Sequence, residues 1–314
     1  MIQVRVTAPA RLHLGFLDLH GGLGRRFGGF GLAVEGLATR IGFAHAATSE
    51  VRGVGETARA TDVLERLTRA WELPPIRVTI EAAIPAHAGL GSGTQLALAM
   101  GMGLARLAGR EVTAPEVAAL LERGARSGIG IGAFQHGGFI LDGGSAADGA
   151  PPPVTARLPF PEPWRVLLIF DPAASGLHGS GERGAFQRLP PYTAELAGQL
   201  CREVVMQLLP GLATADLAAV GQAVGLIQRE VGDYFAPAQG GRFTSAAVSE
   251  ALAWLESQGI AGVGQSSWGP TGFALLGGEA QASELVRDAR RRFSDLRFLV
   301  TSARNRGAEI IIAD

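Results

Sequence analysis

The residues best placed to do chemistry lie in the run Ile84-Pro85-Ala86-His87-Ala88-Gly89-Leu90-Gly91-Ser92-Gly93-Thr94. Gly89, Gly91 and Gly93 alternate, so no Cβ keeps an anion away from the backbone at those positions. Ser92 and Thr94 add hydroxyls where the apolar run Gln95–Ala108 begins. A strand-like segment, Ile76–Ile84, leads into the loop. A strand, a glycine-rich loop and a helix start together aim free amides and the positive end of a helix dipole at one spot, which is a phosphate cradle. The alternative is a glycine-rich turn that merely caps a core helix, and the sequence of strand, loop and helix together favours the anion site over it.

Two familiar phosphate loops do not fit. All 28 basic residues are arginines and the chain has no lysine, whereas a Walker loop needs a lysine that reaches the phosphates. Gly128-Ile129-Gly130-Ile131-Gly132 is glycine-rich, but a helical pattern precedes it and a dinucleotide fingerprint requires a strand there.

The elements that must position this loop alternate between strand and helix. Strand patterns fall at Ile2–Ala8, Arg11–Phe16, Leu37–Ala46 and Ile76–Ile84, and helical periodicity at Asp62–Glu72, Thr94–Ala108 and Pro115–Ser127. Prolines 151–153, 159, 161 and 163 interrupt helix and central strand alike. They divide the chain into an N-terminal unit (1–150), a proline-rich connector (151–164) and a C-terminal unit (165–314). The latter opens on the buried strand pattern Trp164–Phe170. Helices are predicted at Tyr192–Leu209, Thr214–Gln228 and Ser245–Gln258. Strands are predicted at Gly272–Leu276, Leu296–Thr301 and Glu309–Ala313, with a helix at Ala280–Phe293.

Three motifs, in order, resemble those of the GHMP kinase superfamily. Residues 84–94 match its second motif, Pro-x-x-x-Gly-Leu-Gly-Ser-Ser/Gly-Ser/Thr. Ala8-Pro9-Ala10-Arg11-Leu12-His13-Leu14-Gly15-Phe16-Leu17-Asp18 stands in place of the first, and Gly262 to Leu275 resembles the glycine-rich third. The resemblance implies a two-domain α/β fold (two-layer α+β), with a ribosomal-S5-like N-terminal domain and a ferredoxin-like C-terminal domain. Many members carry Ser-Gly-x-Asp after the second motif, the aspartate assisting the attacking hydroxyl. Here the run is Ser127-Gly128-Ile129-Gly130. A glycine cannot take or orient a proton, which argues against a kinase that depends on that carboxylate.

Arg11–Asp18, Arg126–Gly130 and Gln265–Thr271 look like one branch, β-ribofuranosylaminobenzene 5'-phosphate synthase. That family condenses phosphoribosyl pyrophosphate with para-aminobenzoate, releasing pyrophosphate and carbon dioxide, on the route to methanopterin-type carriers. The resemblance implies catalytic roles for Asp18, Arg25 and Arg26. It implies substrate or pyrophosphate contacts for Arg11, His13, Gly89, Gly91, Ser92, Gly93, Thr94, Ser127, Gln265, Ser266, Ser267, Trp268 and Thr271. His178 and Glu182, in a glycine-rich stretch that also resembles the family, join them. It implies Mg²⁺, with Ser92 and Asp18 as candidate ligands, and no ATP requirement. Two other readings stay open: an ATP-dependent small-molecule kinase using Asp18 or Asp142, and a non-catalytic ligand sensor on a degenerate kinase fold.

Composition narrows the partners. A net charge of −1 gives no general attraction to nucleic acid or to a membrane surface. The single cysteine, Cys201, cannot form an intrachain disulfide and reads as a small buried hydrophobe. No apolar run reaches spanning length and no basic-then-apolar leader opens the chain. These features lead us to expect a cytoplasmic enzyme of small molecules, with a homodimer left open.

Overall fold

The computed structural model describes residues 3–147, 149–176 and 189–313. Its larger sheet is built on two long strands, β1 (Gln3–Asp18) and β2 (Phe27–His45), paired antiparallel along nearly their whole length. β3 (Glu50–Gly53), β4 (Ile76–Ala82), β5 (Phe139–Asp142), β6 (Val154–Leu158) and β11 (Glu309–Ala313) complete seven strands. β3 and β4 are parallel, joined by α1 (Thr57–Trp71). The smaller sheet contains β7 (Arg165–Phe170), β8 (Val263–Gln265), β9 (Gly272–Leu276) and β10 (Arg297–Thr301), in the order β10-β7-β9-β8 and antiparallel throughout. With helices between β7 and β8 and between β9 and β10, this is the ferredoxin-like split arrangement.

Each sheet face is covered because each strand presents apolar side chains to it. Val4, Val6, Ile41, Phe43, Ile76 and Val78 pack under α1, α2 (Ser92–Leu107) and α3 (Ala114–Leu120). α3 starts where Thr113 and Glu116 form a reciprocal capping box. The C-terminal helices are α5 (Ala194–Glu203), continued by a π-helical stretch at Val204–Leu208 and α6 (Leu209–Ala213), then α7 (Leu217–Gln239), α8 (Ala246–Ser257) and α9 (Glu279–Arg292). Leu12, Leu14, Phe30 and Leu32 share one core with Val166, Leu168, Val220, Ile227 and Phe273, so α7 and the small sheet close directly over β1 and β2.

The fold differs from the sequence reading in instructive places. β1 is one strand and not two: Pro9 sits at a register shift between Pro9 and Ala10, where the ladder tolerates a missing donor. β2 begins ten residues before the predicted Leu37, because Gly28, Gly29 and Gly31 lower strand propensity without preventing pairing. Ile129–Gln135 is a helix, α4, despite its glycines. α7 runs to Gln239, with Pro237 in its last turn. The connector holds β6, which pairs with β5, and β11 returns to pair with β1. Both therefore belong to the first sheet, and no local pattern in either strand says which sheet it joins.

Candidate active site

The loop after β4 ends at Gly91, which is the N-cap of α2 in the left-handed conformation. Gly89 and Gly91 have φ of 81° and 82°, a region that glycine enters without steric cost. The amides of Thr94 and Gln95 both donate to the Gly91 carbonyl. Among the described residues, the amides of Ser92 and Gly93 and the hydroxyls of Ser92 and Thr94 have no hydrogen-bond partner. These donors converge at a 16-residue helix N-terminus, the arrangement that receives an anion. Arg11 lies against it: a Cβ on Gly91 would sit 3.2 Å from the Arg11 guanidinium carbon. Its Nη1 donates to the Gly89 carbonyl at 2.6 Å.

The edge of β1 holds the site together. β11 pairs with β1 only as far as Thr7. Beyond that, the Arg11 amide donates to the Leu90 carbonyl at 3.1 Å. The His13 amide donates to Ser266 Oγ at 3.0 Å, and the Ser267 amide to the His13 carbonyl at 3.1 Å. Gln228 Nε2 donates to the Leu14 carbonyl at 2.6 Å. The exposed ladder positions of one strand thus recruit the second motif, the third motif and α7 in turn. Ser266 Oγ also donates to the Gly89 carbonyl at 2.8 Å, tying the third motif to the cradle. Gln265 accepts from the Thr244 amide at 2.7 Å and donates to the Ser267 carbonyl at 3.0 Å. Ser266 and Gln265 therefore carry the framework around the cradle. Thr271 is buried, with its hydroxyl unpartnered among the described residues.

Beside the cradle, a narrow cleft is walled by Phe16, Val231, Phe235 and Trp268, with His13, Gln239, Arg242 and Ser267 supplying polar atoms. The Phe235 and Trp268 rings lie 4.3 Å apart and are tilted by 56°, and His13 lies 4.6 Å from Phe16. His13 is 3% exposed, and its Nε2 has no partner among the described residues. Burial, and secondarily the Arg11 charge, push its pKa from 6.5 down to about 3, so the ring is neutral at physiological pH. Unfolded, the imidazole takes a proton near pH 6.5, and the folded state resists it until about pH 3. Its contribution to stability is therefore fully present above pH 6.5 and is lost as pH falls through that window, at about 1.4 kcal/mol per pH unit. Thermal melts should show this slope, and His13→Asn should flatten it. An unchanged slope would place the acid sensitivity elsewhere.

Asp18, Arg25 and Arg26 occupy the far end of β1. Seven residues of extended strand separate Asp18 from Arg11, about 23 Å at ~3.3 Å per residue before the bulge near Gly15 shortens it. α2 runs from the cradle back along Val4, Val6 and Ala8, so Ser92 and Asp18 do not share one ion. Asp18 accepts from the Gly21 amide at 2.8 Å. Arg25 is spent on backbone, donating from Nε to the Gly143 carbonyl and from Nη2 to the Gly144 carbonyl, each at 2.8 Å. Arg26 donates only from Nε, to the Leu19 carbonyl at 2.9 Å, and its terminal nitrogens have no hydrogen bond among the described residues. Arg26→Lys should thus lower kcat/KM by about 10- to 100-fold with little change in melting temperature, because lysine lacks the planar fork. Arg25→Lys should do the reverse. Steady-state rates and melts of the pair check this, and an unimpaired Arg26→Lys enzyme would exclude a forked contact.

Two placements bear on the missing carboxylate. Gly130 lies under α2, where a Cβ would come 2.9 Å from Thr94 Cγ2, and its carbonyl accepts from Gln95 Nε2 at 2.8 Å. Asp142 is buried and accepts from Ser127 Oγ at 3.1 Å and from the amides of Gly128 at 2.8 Å and Gly144 at 2.9 Å. Burial raises its pKa, opposed by those hydrogen bonds. Asp142 and Ser127 organise the start of α4, which leaves Asp142 occupied and not poised to accept a substrate proton. Cys201 is exposed, not buried as its helical run suggested. Its thiol is pushed up by its protein surroundings and then by Asp18. His178 and Glu182 lie outside the described residues. Sequence reasoning missed the cleft residues on α7, Val231, Phe235 and Gln239, which look like ordinary core in a helical pattern.

Comparison with known proteins agrees with this geometry. The model of the GHMP kinases N-terminal domain matches residues 58–138, and that of the GHMP kinases C-terminal domain matches 208–295. The chain is similar to beta-ribofuranosylphenol 5'-phosphate synthase from Archaeoglobus fulgidus, 32% identical over 98% of this chain and 99% of the relative. It is 30% identical to the protein of the same name from Methanothermobacter thermautotrophicus, over 99% of each. In fold it is similar to homoserine kinase from Cytophaga hutchinsonii, with a TM-score of 0.70 and 19% identity over 98% of this chain and 97% of that one. Mevalonate pyrophosphate decarboxylase from Streptococcus pyogenes aligns with a TM-score of 0.67 and 13% identity, over 96% and 97%. No described helix is long and apolar enough to cross a membrane. With both halves matched and the relatives aligned end to end, the chain is an enzyme of the GHMP kinase superfamily and belongs to the β-ribofuranosylphenol 5'-phosphate synthase family.

Proposed function

We propose that this enzyme joins the ribose of phosphoribosyl pyrophosphate to a para-substituted benzoate, para-aminobenzoate first among them, releasing pyrophosphate and carbon dioxide. The new bond runs from the anomeric carbon to the ring carbon that bears the carboxylate. The anomeric C–O bond breaks with its electron pair leaving on pyrophosphate, and the C–CO₂ bond then breaks with its pair restoring the aromatic ring. The carboxylate leaves in place of a ring proton, so no strong base is needed at that carbon. The observation that carries this reading is an anion cradle in which the kinase carboxylate is replaced by Gly130, where an added Cβ would come 2.9 Å from Thr94 Cγ2.

The residues suit the separate tasks. The Ser92 and Gly93 amides and Arg11 would hold the departing pyrophosphate as its charge grows. Phe16, Phe235 and Trp268, which line the cleft, would supply the aromatic faces against which the flat ring packs, once their side chains part to admit it. Neutral His13 would accept a hydrogen bond from a ring substituent and not act as an acid. Among the described residues no three His, Cys, Asp or Glu side chains gather to hold a metal. Mg²⁺ would therefore be carried by substrate phosphates and water, with the Ser92 hydroxyl as the fitting protein ligand. It would neutralise pyrophosphate charge.

The relatives' name ends in a phenol, the product that para-hydroxybenzoate would give and para-aminobenzoate would not. The decisive assay therefore supplies phosphoribosyl pyrophosphate, Mg²⁺ and each acid in turn, with and without ATP, and measures carbon dioxide and pyrophosphate. Equal release of both without ATP is expected, and the faster acid identifies the ring. ATP-dependent phosphorylation of a small acceptor without carbon dioxide release would replace this reading with a kinase.

A further inference from the structure

Three segments distant in sequence come together around α2. The start of α1 brings Glu56 and Arg59, the α2 turn brings Gly93, and the turn after α3 brings Glu122 and Arg123. A Cβ on Gly93 would lie 3.0 Å from Arg59 Nη1, so that guanidinium overhangs the cradle's own turn. Arg59 is ion-paired with Glu56, and Arg66 with Glu122 at 3.1 Å. Arg123 is different. It is half-buried, its Nε is fully enclosed, and its side chain has no hydrogen bond or ion pair among the described residues.

The enclosed Nε gives up water without gaining a partner, which an anion held by this guanidinium would offset. Its neighbours do not balance it: Arg59, Arg66 and Arg123 face Glu56 and Glu122, leaving one positive charge over. Burial, and then the nearby Arg59 charge, lower the Arg123 pKa. Arg11 approaches this turn at Gly91 and Arg59 approaches it at Gly93, so the two guanidinium groups meet it at different residues.

We propose that Arg59 and Arg123 form a second anion subsite that takes the phosphate monoester of a sugar phosphate whose other anionic end sits in the α2 cradle. The identity of that ligand rests on the proposed reaction, in which phosphoribosyl pyrophosphate carries a monoester at one end and pyrophosphate at the other. Guanidinium groups match a terminal phosphate in a forked geometry. Two arginines from separate segments would also fix which end of the ribose enters the cradle.

The test reads binding without turnover, using the full chain with ribose 5-phosphate and with inorganic pyrophosphate as probes. Arg59→Gln and Arg123→Gln should each weaken ribose 5-phosphate binding tenfold or more while changing pyrophosphate binding less than threefold. Arg123→Lys should recover part of the loss. Undetectable ribose 5-phosphate binding by the unmodified protein, unchanged binding in the variants, or an equal loss for both probes would each overturn the subsite. If Arg123→Gln does not fold, as judged by melting, Arg59→Gln decides. A protein that binds ribose 5-phosphate through these arginines but makes no C-riboside would keep the subsite and remove the proposed reaction. Normal C-riboside synthesis with both variants unimpaired would do the opposite.

Discussion

Gly89→Ala is expected to lower kcat/KM at least a hundredfold, more than any single hydroxyl removed from the cradle. The added Cβ would lie 2.1 Å from the Ser266 carbonyl oxygen and 2.9 Å from Gly269 Cα. Both are backbone atoms, so no rotamer change relieves the overlap and the two loops must separate. The φ of 81° adds about 1–2 kcal/mol of strain for a residue with a Cβ. Separation would break the Ser266 and Arg11 hydrogen bonds to the Gly89 carbonyl and misplace the cradle, where a shift of about 1 Å costs about a hundredfold. Ser92→Ala removes one hydroxyl from an intact frame, and a loss nearer tenfold is expected, with an unchanged melting temperature. Steady-state kinetics and thermal melts of the two variants check the order. Full activity in Gly89→Ala would remove the cradle from the reaction.

Gly130→Asp is expected to abolish synthesis without creating kinase activity, and to lower the melting temperature sharply. The first reason is space: even a Cβ meets Thr94 Cγ2 at 2.9 Å. The second is electrostatic, since the carboxylate would enter a buried site where Gln95 Nε2, 3.8 Å from the added Cβ, already donates to the Gly130 carbonyl. Burying an unpaired charge costs several kcal/mol, and repulsion from a bound anion adds a few more at an effective dielectric of about 20. Gly130→Ala separates the two causes, since it brings the steric overlap without the charge. Melting temperature, synthesis and ATP hydrolysis would be measured on all three proteins. ATP turnover by Gly130→Asp would show that one carboxylate divides this enzyme from a kinase.

Much of the cradle was legible in the sequence because its determinants are local. Alternating glycines before a serine and an apolar run specify left-handed turn residues and a helix start within eleven residues, Ile84 to Thr94. The order of the three motifs likewise identified the superfamily, and Gly130 marked the departure from its kinases. The start of α3, behind its cap Thr113, lies within one residue of the predicted Pro115, but the helix ends at Leu120, seven residues before the predicted Ser127.

Tertiary structure decided what depends on neighbours far apart in the chain. The sequence presents Arg25 and Arg26 as equals, and only packing shows that Gly143 and Gly144 occupy the first while the second keeps its terminal nitrogens open. Asp142 is an available carboxylate in sequence and a hydrogen-bonded anchor for Ser127 and Gly128 in space. The aromatic cleft joins Phe16 to Phe235 and Trp268, and Arg59 comes within electrostatic reach of Arg123 only because α1 and α3 both pack against α2. Spacing along the chain fixes backbone conformation over a turn or two, so it could specify a loop that binds phosphate. It carries no signal for side chains brought together by folding across tens to hundreds of residues, and those contacts set which groups remain free to meet a substrate.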